Sequence, residues 1–182
     1  MLKNKKRITI TLLVLLLISI SVMRYLDDFL ITKISPNGIV SFELAKELSN
    51  SNEIINAWST TAKSTAGLSL GFDFLFLLIY ASFISRLVIL INNRLFIKSK
   101  SIFLKQFLIL LPFIAAFFDI LENIALIKLL LGDLQQIWSS LAYYFAVIKF
   151  GLLIVVISYI LVGFFIVFNR KYRLNKQNPT KF

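Results

Sequence analysis

Four stretches of this chain are each long and apolar enough to cross a bilayer, and that property removes almost every other fold. A crossing takes about 20 helical residues. The stretches lie at about 8–26, 68–91, 103–131 and 137–168. Hydrocarbon offers no partner to backbone amides and carbonyls, so each segment must be a helix that closes its own hydrogen bonds. The expected fold class is all-α: a polytopic membrane protein, one domain over residues 1–182, built as a four-transmembrane-helix bundle. The fourth stretch exceeds one bilayer thickness and must tilt or protrude. Apolar residues make up 58% of the chain, more than the roughly half of a soluble domain.

The first stretch follows Lys3, Lys5, Lys6 and Arg7, as a signal peptide would. Its exit reads SVMRYLDD, with no small-x-small cleavage site, so an uncleaved signal-anchor is expected. The formal charge of +11 falls in clusters that flank the spans, which marks topology rather than a nucleic-acid surface. Thirteen of the 20 Lys and Arg fall before span one, around the link between spans two and three, or after span four. The intervening links carry Lys33, Lys46 and Lys63 among acids, and only Asp133 between spans three and four. Both termini are therefore expected in the cytoplasm, with a multi-pass chain in the plasma membrane. The chain contains no His and no Cys, which removes imidazole bases, disulfides and most transition-metal sites. No cofactor is expected.

Residues 32–67 form the one sizeable extracytoplasmic segment. SPNG (Ser35–Gly38) reads as a turn. IVSFELAKELS reads as a short helix with Val40, Leu44 and Leu48 on one face. Ser51 and Asn52 suggest the cap of a second helix bearing Ile54, Ile55 and Trp58. The expectation is a pair of amphipathic helices resting on the interface with Trp58 as anchor; a lid over an outward cavity is the alternative.

Inside the spans a few polar residues stand out, most densely in FFDILENIAL (Phe117–Leu126). Asp119, Glu122 and Asn123 are spaced i, i+3, i+4 and share one helical face. Asp73 lies about 8 Å into span two, and Tyr80, seven residues on, shares its face. Lys149 sits near the middle of span four. All six fall in the mid-to-outer half of the bilayer. A carboxylate in a helix centre costs about 2.5 kcal/mol or more, so these groups should face inward, with Lys149 pairing Asp119 or Glu122. Lys128 and Arg86 are expected to snorkel. Pro112 should bend span three, and Gly151 and Gly163 should mark close helix packing. The same polar set could simply hold helices together, each contact being worth about 0.6 kcal/mol.

The order GIVSFELA, INAW, LGFDFLFLLIY, LPFIAAFFDILENIAL and KFGLL resembles an uncharacterised family of small four-span bacterial integral membrane proteins, over about residues 36–165. The resemblance implies a bacterial inner membrane and no particular activity. It singles out Glu43 and Trp58 in the outer segment beside Asp73, Tyr80, Asp119, Glu122, Asn123 and Lys149 in the spans.

Three functions compete. The first is binding or transport of a small amphiphile or cation at the acid cluster, transport by so few helices requiring a homo-oligomer. The second is an accessory subunit whose polar cluster serves assembly. The third is a lipid-active enzyme with Asp73 and Glu122 as acid and base. Hard oxygen ligands would suit Mg²⁺, but no diagnostic metal spacing is present, so no metal is expected. Beyond the lipid bilayer and such a ligand, no partner is implied.

Overall fold

The computed structural model describes residues 2–95 and 102–177, with side chains over 6–95 and 102–170. Six α-helices follow in order: α1 (Leu2–Asp27), α2 (Ile39–Glu43), α3 (Leu48–Ala57), α4 (Thr60–Leu95), α5 (Ile102–Leu130) and α6 (Gln136–Gln177). A 3₁₀ turn at Asp28–Leu30 follows α1, and no strand occurs among the described residues. Helices α1, α4, α5 and α6 are each long and apolar enough to cross a membrane. The chain is an all-helical bundle with four candidate membrane-spanning helices, in keeping with its four apolar stretches.

Within the bundle, lipid gives apolar side chains no reason to leave it, so small residues and polar contacts decide which helices touch. Ala115, Ala116 and Ala125 of α5, Ala66 and Ala81 of α4, and Ala142 and Ala146 of α6 are all buried. These positions let α4, α5 and α6 approach closely, and α5 packs against both neighbours. Pro112 is buried inside α5, which continues through it as one helix. Gly163 is a close-packing position, since a Cβ there would collide with Ile91 of α4. Gly151 is not: a Cβ there would meet open space. Helix α1 leans mainly on α4. Arg86 of α4 donates to Thr9 Oγ1 of α1 at 3.3 Å, so its guanidinium bridges two helices rather than merely snorkelling.

The segment between α1 and α4 folds back over one end of the bundle as a cap, and here three expectations are corrected. Helix α2 stops at Glu43, Lys46 adopts a φ of 61°, and α3 begins at Leu48. The helix expected to continue through Leu44 and Leu48 is therefore broken. The buried face is Ile39, Phe42 and Glu43, while Leu44 is exposed. Glu47, not Ser51 or Asn52, occupies the N-cap of α3. The break lets Ile54, Ile55 and Trp58 return to the same core as Phe42.

Trp58 is 3% exposed, which overturns its reading as an interfacial anchor. Its indole N–H donates to the Leu30 carbonyl at 3.0 Å and lies 3.2 Å from Ser35 Oγ, and its ring packs edge-on against Phe42. A buried indole is stable only where its N–H finds an acceptor, and the Ser35 turn supplies it.

The cap is tied down at both edges. Asp27, the last residue of α1, accepts the Ile39 backbone N–H at 2.7 Å. Gly38 precedes it at φ 57°, and any side chain there would strike the Asp27 carboxyl. At the other edge Gln136 of α6 accepts from Leu48 N at 2.8 Å and donates to the Lys46 carbonyl at 3.1 Å, spanning the α2–α3 break. Ser51 and Ser139 share a buried hydrogen bond beside it. Of the basic residues that set the expected orientation, Lys6, Arg7, Arg94, Lys105 and Arg170 lie toward the end opposite the cap. The side chains of Lys3, Lys5, Lys98, Lys100, Lys171, Arg173, Lys176 and Lys181 lie outside the described residues.

Candidate functional site: a carboxyl cluster around one buried lysine

Lys149 enters from α6 into the space between α4, α5 and the cap. Its Nζ stands 2.7 Å from Glu122 Oε2, 3.0 Å from Asp119 Oδ1 and 3.6 Å from Glu43 Oε2. Asp119 and Glu122 belong to one turn of α5, so their i, i+3 spacing presents both carboxyls to one ammonium. The Asp119 contact is also a hydrogen bond. The Glu122 contact is an ion pair without hydrogen-bond alignment, and neither Glu122 oxygen has a hydrogen-bond partner although the side chain is fully buried. Among the described residues every ion pair to these carboxyls comes from Lys149.

A second layer surrounds this centre. Tyr80 of α4 donates its hydroxyl proton to Asp119 Oδ2 at 2.8 Å. Asn123 of α5 donates through Nδ2 to Asp73 Oδ2 of α4 at 2.5 Å. Asp73 has no ion pair among the described residues, and a neutral amide is the partner it has. The three polar pairs join α4 to α5 and α5 to α6, which is the inward convergence expected from helical depth alone.

Glu43 is the member that span arithmetic does not place here. The cap carries it into the cluster from α2, where it is 9% exposed. Burial pushes its carboxyl above the usual range, against the pull of the Lys149 charge and with Asp119 adding repulsion. The sequence signal was the resemblance motif ELA. Trp58, its companion in that motif, lies in the cap core and takes no part in the ion cluster. Lys128 is exposed, its ammonium 5.8 Å from the Trp138 ring centre, as expected for a snorkelling residue.

The cluster forms one wall of a cavity of about 360 Å³. Glu43, Asp73, Tyr80, Asp119 and Lys149 supply its polar part. Its apolar part comes from Leu16 and Met23 of α1, Ile39 and Val40 of α2, Phe76 and Ile84 of α4, and Phe150, Leu153 and Ile157 of α6. That volume lies within the range of small-molecule sites, and a largely apolar wall with a few convergent polar groups is their usual composition. The apolar lining residues within the spans carried no signal in the sequence, because Leu, Ile and Phe in a span look alike whether they face lipid or a cavity. Among the described residues no three of the carboxyls are arranged to hold a metal ion; the Lys149 ammonium occupies their point of convergence.

No protein-family model, curated protein or solved structure matches this chain.

Proposed function

We propose that this protein binds a small amphiphile within the membrane, the head of the ligand at the carboxyl cluster and its tail along the apolar wall. One observation carries the reading: a cavity of about 360 Å³ has its polar groups gathered at one wall and apolar side chains elsewhere. Helix packing alone needs no such space. Three carboxyls around one ammonium, with Asp73 beside them on an amide, leave surplus negative charge, which in a low-dielectric site must be met by protons or by a bound cationic group. In this reading both termini face the cytoplasm of a bacterial cell, and the cap lies on the outer side of the inner membrane.

The test is mass spectrometry of small molecules and lipids that copurify with the wild type and with Leu153→Trp, which fills the apolar wall. A species retained by the wild type and lost from the folded variant supports the reading. Identical copurifying species in both would refute it.

A second reading, an accessory subunit, draws on the way Lys149 ties α6 to α5 and to the cap. It predicts that exchanging the charges in an Asp119→Lys, Lys149→Asp double variant restores the folded yield lost in either single variant, with nothing bound.

A further inference from the structure

We propose that the occupant carries an amine head and enters sideways from the bilayer, between α1 and α6, to place that head against Asp73. This rests on the amphiphile-binding reading and narrows it. The inference joins the charge state of the polar wall to the route by which the cavity opens.

Three of the four carboxyls already share the one ammonium: Asp119, Glu122 and Glu43 all lie within 4 Å of Lys149 Nζ. Asp73 does not. Its described partner is the neutral Asn123 amide, and it lines the cavity. A buried carboxylate met only by an amide is the place where an added cation gains most, because its desolvation is not offset by a fixed counter-charge. Phe76 and Tyr80, further along α4, line the same cavity and pack edge-to-face with ring centres 5.4 Å apart, aromatic groups of the kind that attract an ammonium. An anionic head placed against Asp73 would meet a carboxyl with no ion pair among the described residues, and the Lys149 ammonium on the same wall is already held by Asp119 and Glu122.

The opening follows from how the helices pair. Helix α1 packs on α4, and α6 on α5 and α4, while α1 and α6 are not principal partners. Leu16 and Met23 of α1, Phe76 and Ile84 of α4, and Leu153 and Ile157 of α6 line the cavity between them, and Ile157 is 45% exposed. The cavity is also long. From Asp73 to Ile84 along α4 is eleven residues, about 16 Å of rise. Ile39 and Val40 of the cap and Met23 of α1 line the cavity near the polar groups, and beyond Tyr80 its lining is apolar, with Ile84, Leu153 and Ile157. A single-chain amphiphile in the cap-side leaflet already has this polarity and needs no reorientation to slide in.

Binding to the full chain in nanodiscs of phosphatidylcholine tests both parts, with dodecylamine, dodecanol and butylamine as probes. Dodecylamine should bind at least 10-fold tighter than dodecanol, and Asp73→Asn, which keeps the shape and an acceptor for Asn123, should erase that preference. Ile157→Trp, at the mouth, should weaken dodecylamine at least 10-fold or slow its association, while thermal stability stays that of the wild type. Equal binding of amine and alcohol, with no change in Asp73→Asn, overturns the amine head while leaving amphiphile binding intact. Butylamine as tight as dodecylamine, with Ile157→Trp silent, overturns lateral entry. If no probe binds and Leu153→Trp loses no copurifying species, the amphiphile reading itself falls.

Discussion

Helices α1 and α5 are nearly matched in apolar character, yet their places in the molecule are opposite. Of the most apolar stretch of α1, 6% is buried; of that of α5, 44%. Ser19 is the single buried residue among those described in α1 up to its last turn. In α5 the buried positions include three alanines, Pro112, Asp119, Glu122 and Asn123. Hydropathy thus decides which segments enter the bilayer but not which become central. Centrality follows from small residues that let backbones approach and from polar groups that lipid cannot satisfy. The loose seat of α1 has a structural counterpart, since its Leu16 and Met23 line the cavity.

This contrast can be broken by substitution, and the largest effect should come from the ion centre. Lys149→Met leaves Asp119, Glu122 and Glu43 with no ion-pair partner among the described residues. It should cost about 3–5 kcal/mol, read as loss of monodisperse protein or as a lowered unfolding midpoint in bicelles. Adding Glu122→Gln should recover part of that loss. A Lys149→Met chain as stable as the wild type would mean that the cluster does not hold α5 at the centre.

Next is packing. Ala116→Leu on α5 should destabilise by about 1–3 kcal/mol through overpacking against α4. The same unfolding assay should find Ile18→Ala on α1, 57% exposed, within about 0.5 kcal/mol of the wild type. Equal penalties at the two sites would erase the distinction between the helices. A smaller effect, about 1 kcal/mol, is expected from Trp58→Phe, which keeps the ring against Phe42 but removes the indole donor, leaving the Leu30 carbonyl with Ser35 Oγ alone. Faster proteolysis within residues 39–57 is its readout.

The last is a pH effect that extends the reach of α5 to the cap. The folded-state pKa of Glu43 is raised, so the stability it lends the docked cap is fully present below its unfolded value, near 4.5. It is lost as pH rises through the folded value. Shielding of Trp58 from a soluble quencher, measured in a Trp138→Phe background, should therefore decline as pH rises above 4.5, and Glu43→Gln should flatten the curve. A profile unchanged by Glu43→Gln would show that Glu43 does not couple the cap to the lysine centre.

Much of this was legible in one dimension. The spans, the helical class and the convergence of Asp73, Tyr80, Asp119, Glu122, Asn123 and Lys149 follow from hydropathy and a rise of about 1.5 Å per residue. The polar pairs could be anticipated because a charge in hydrocarbon has few ways to survive. The cap was misjudged where local pattern competed with tertiary need. Leu44 fits a helical stripe, yet it is Glu43 that turns inward, because the buried lysine rewards a carboxyl there. Trp58 reads as an interfacial residue until Leu30 and the Ser35 turn are brought to its N–H.

The sequence by itself determined that four segments are long and apolar enough to cross a membrane and that the acids deep within them need polar partners, since both are properties of single segments in a nonpolar solvent. Tertiary structure alone decided which helix stands at the edge, that the cap contributes Glu43, and that space remains between α1 and α6. Those outcomes depend on how close two backbones come, a distance set jointly by residues far apart in the chain.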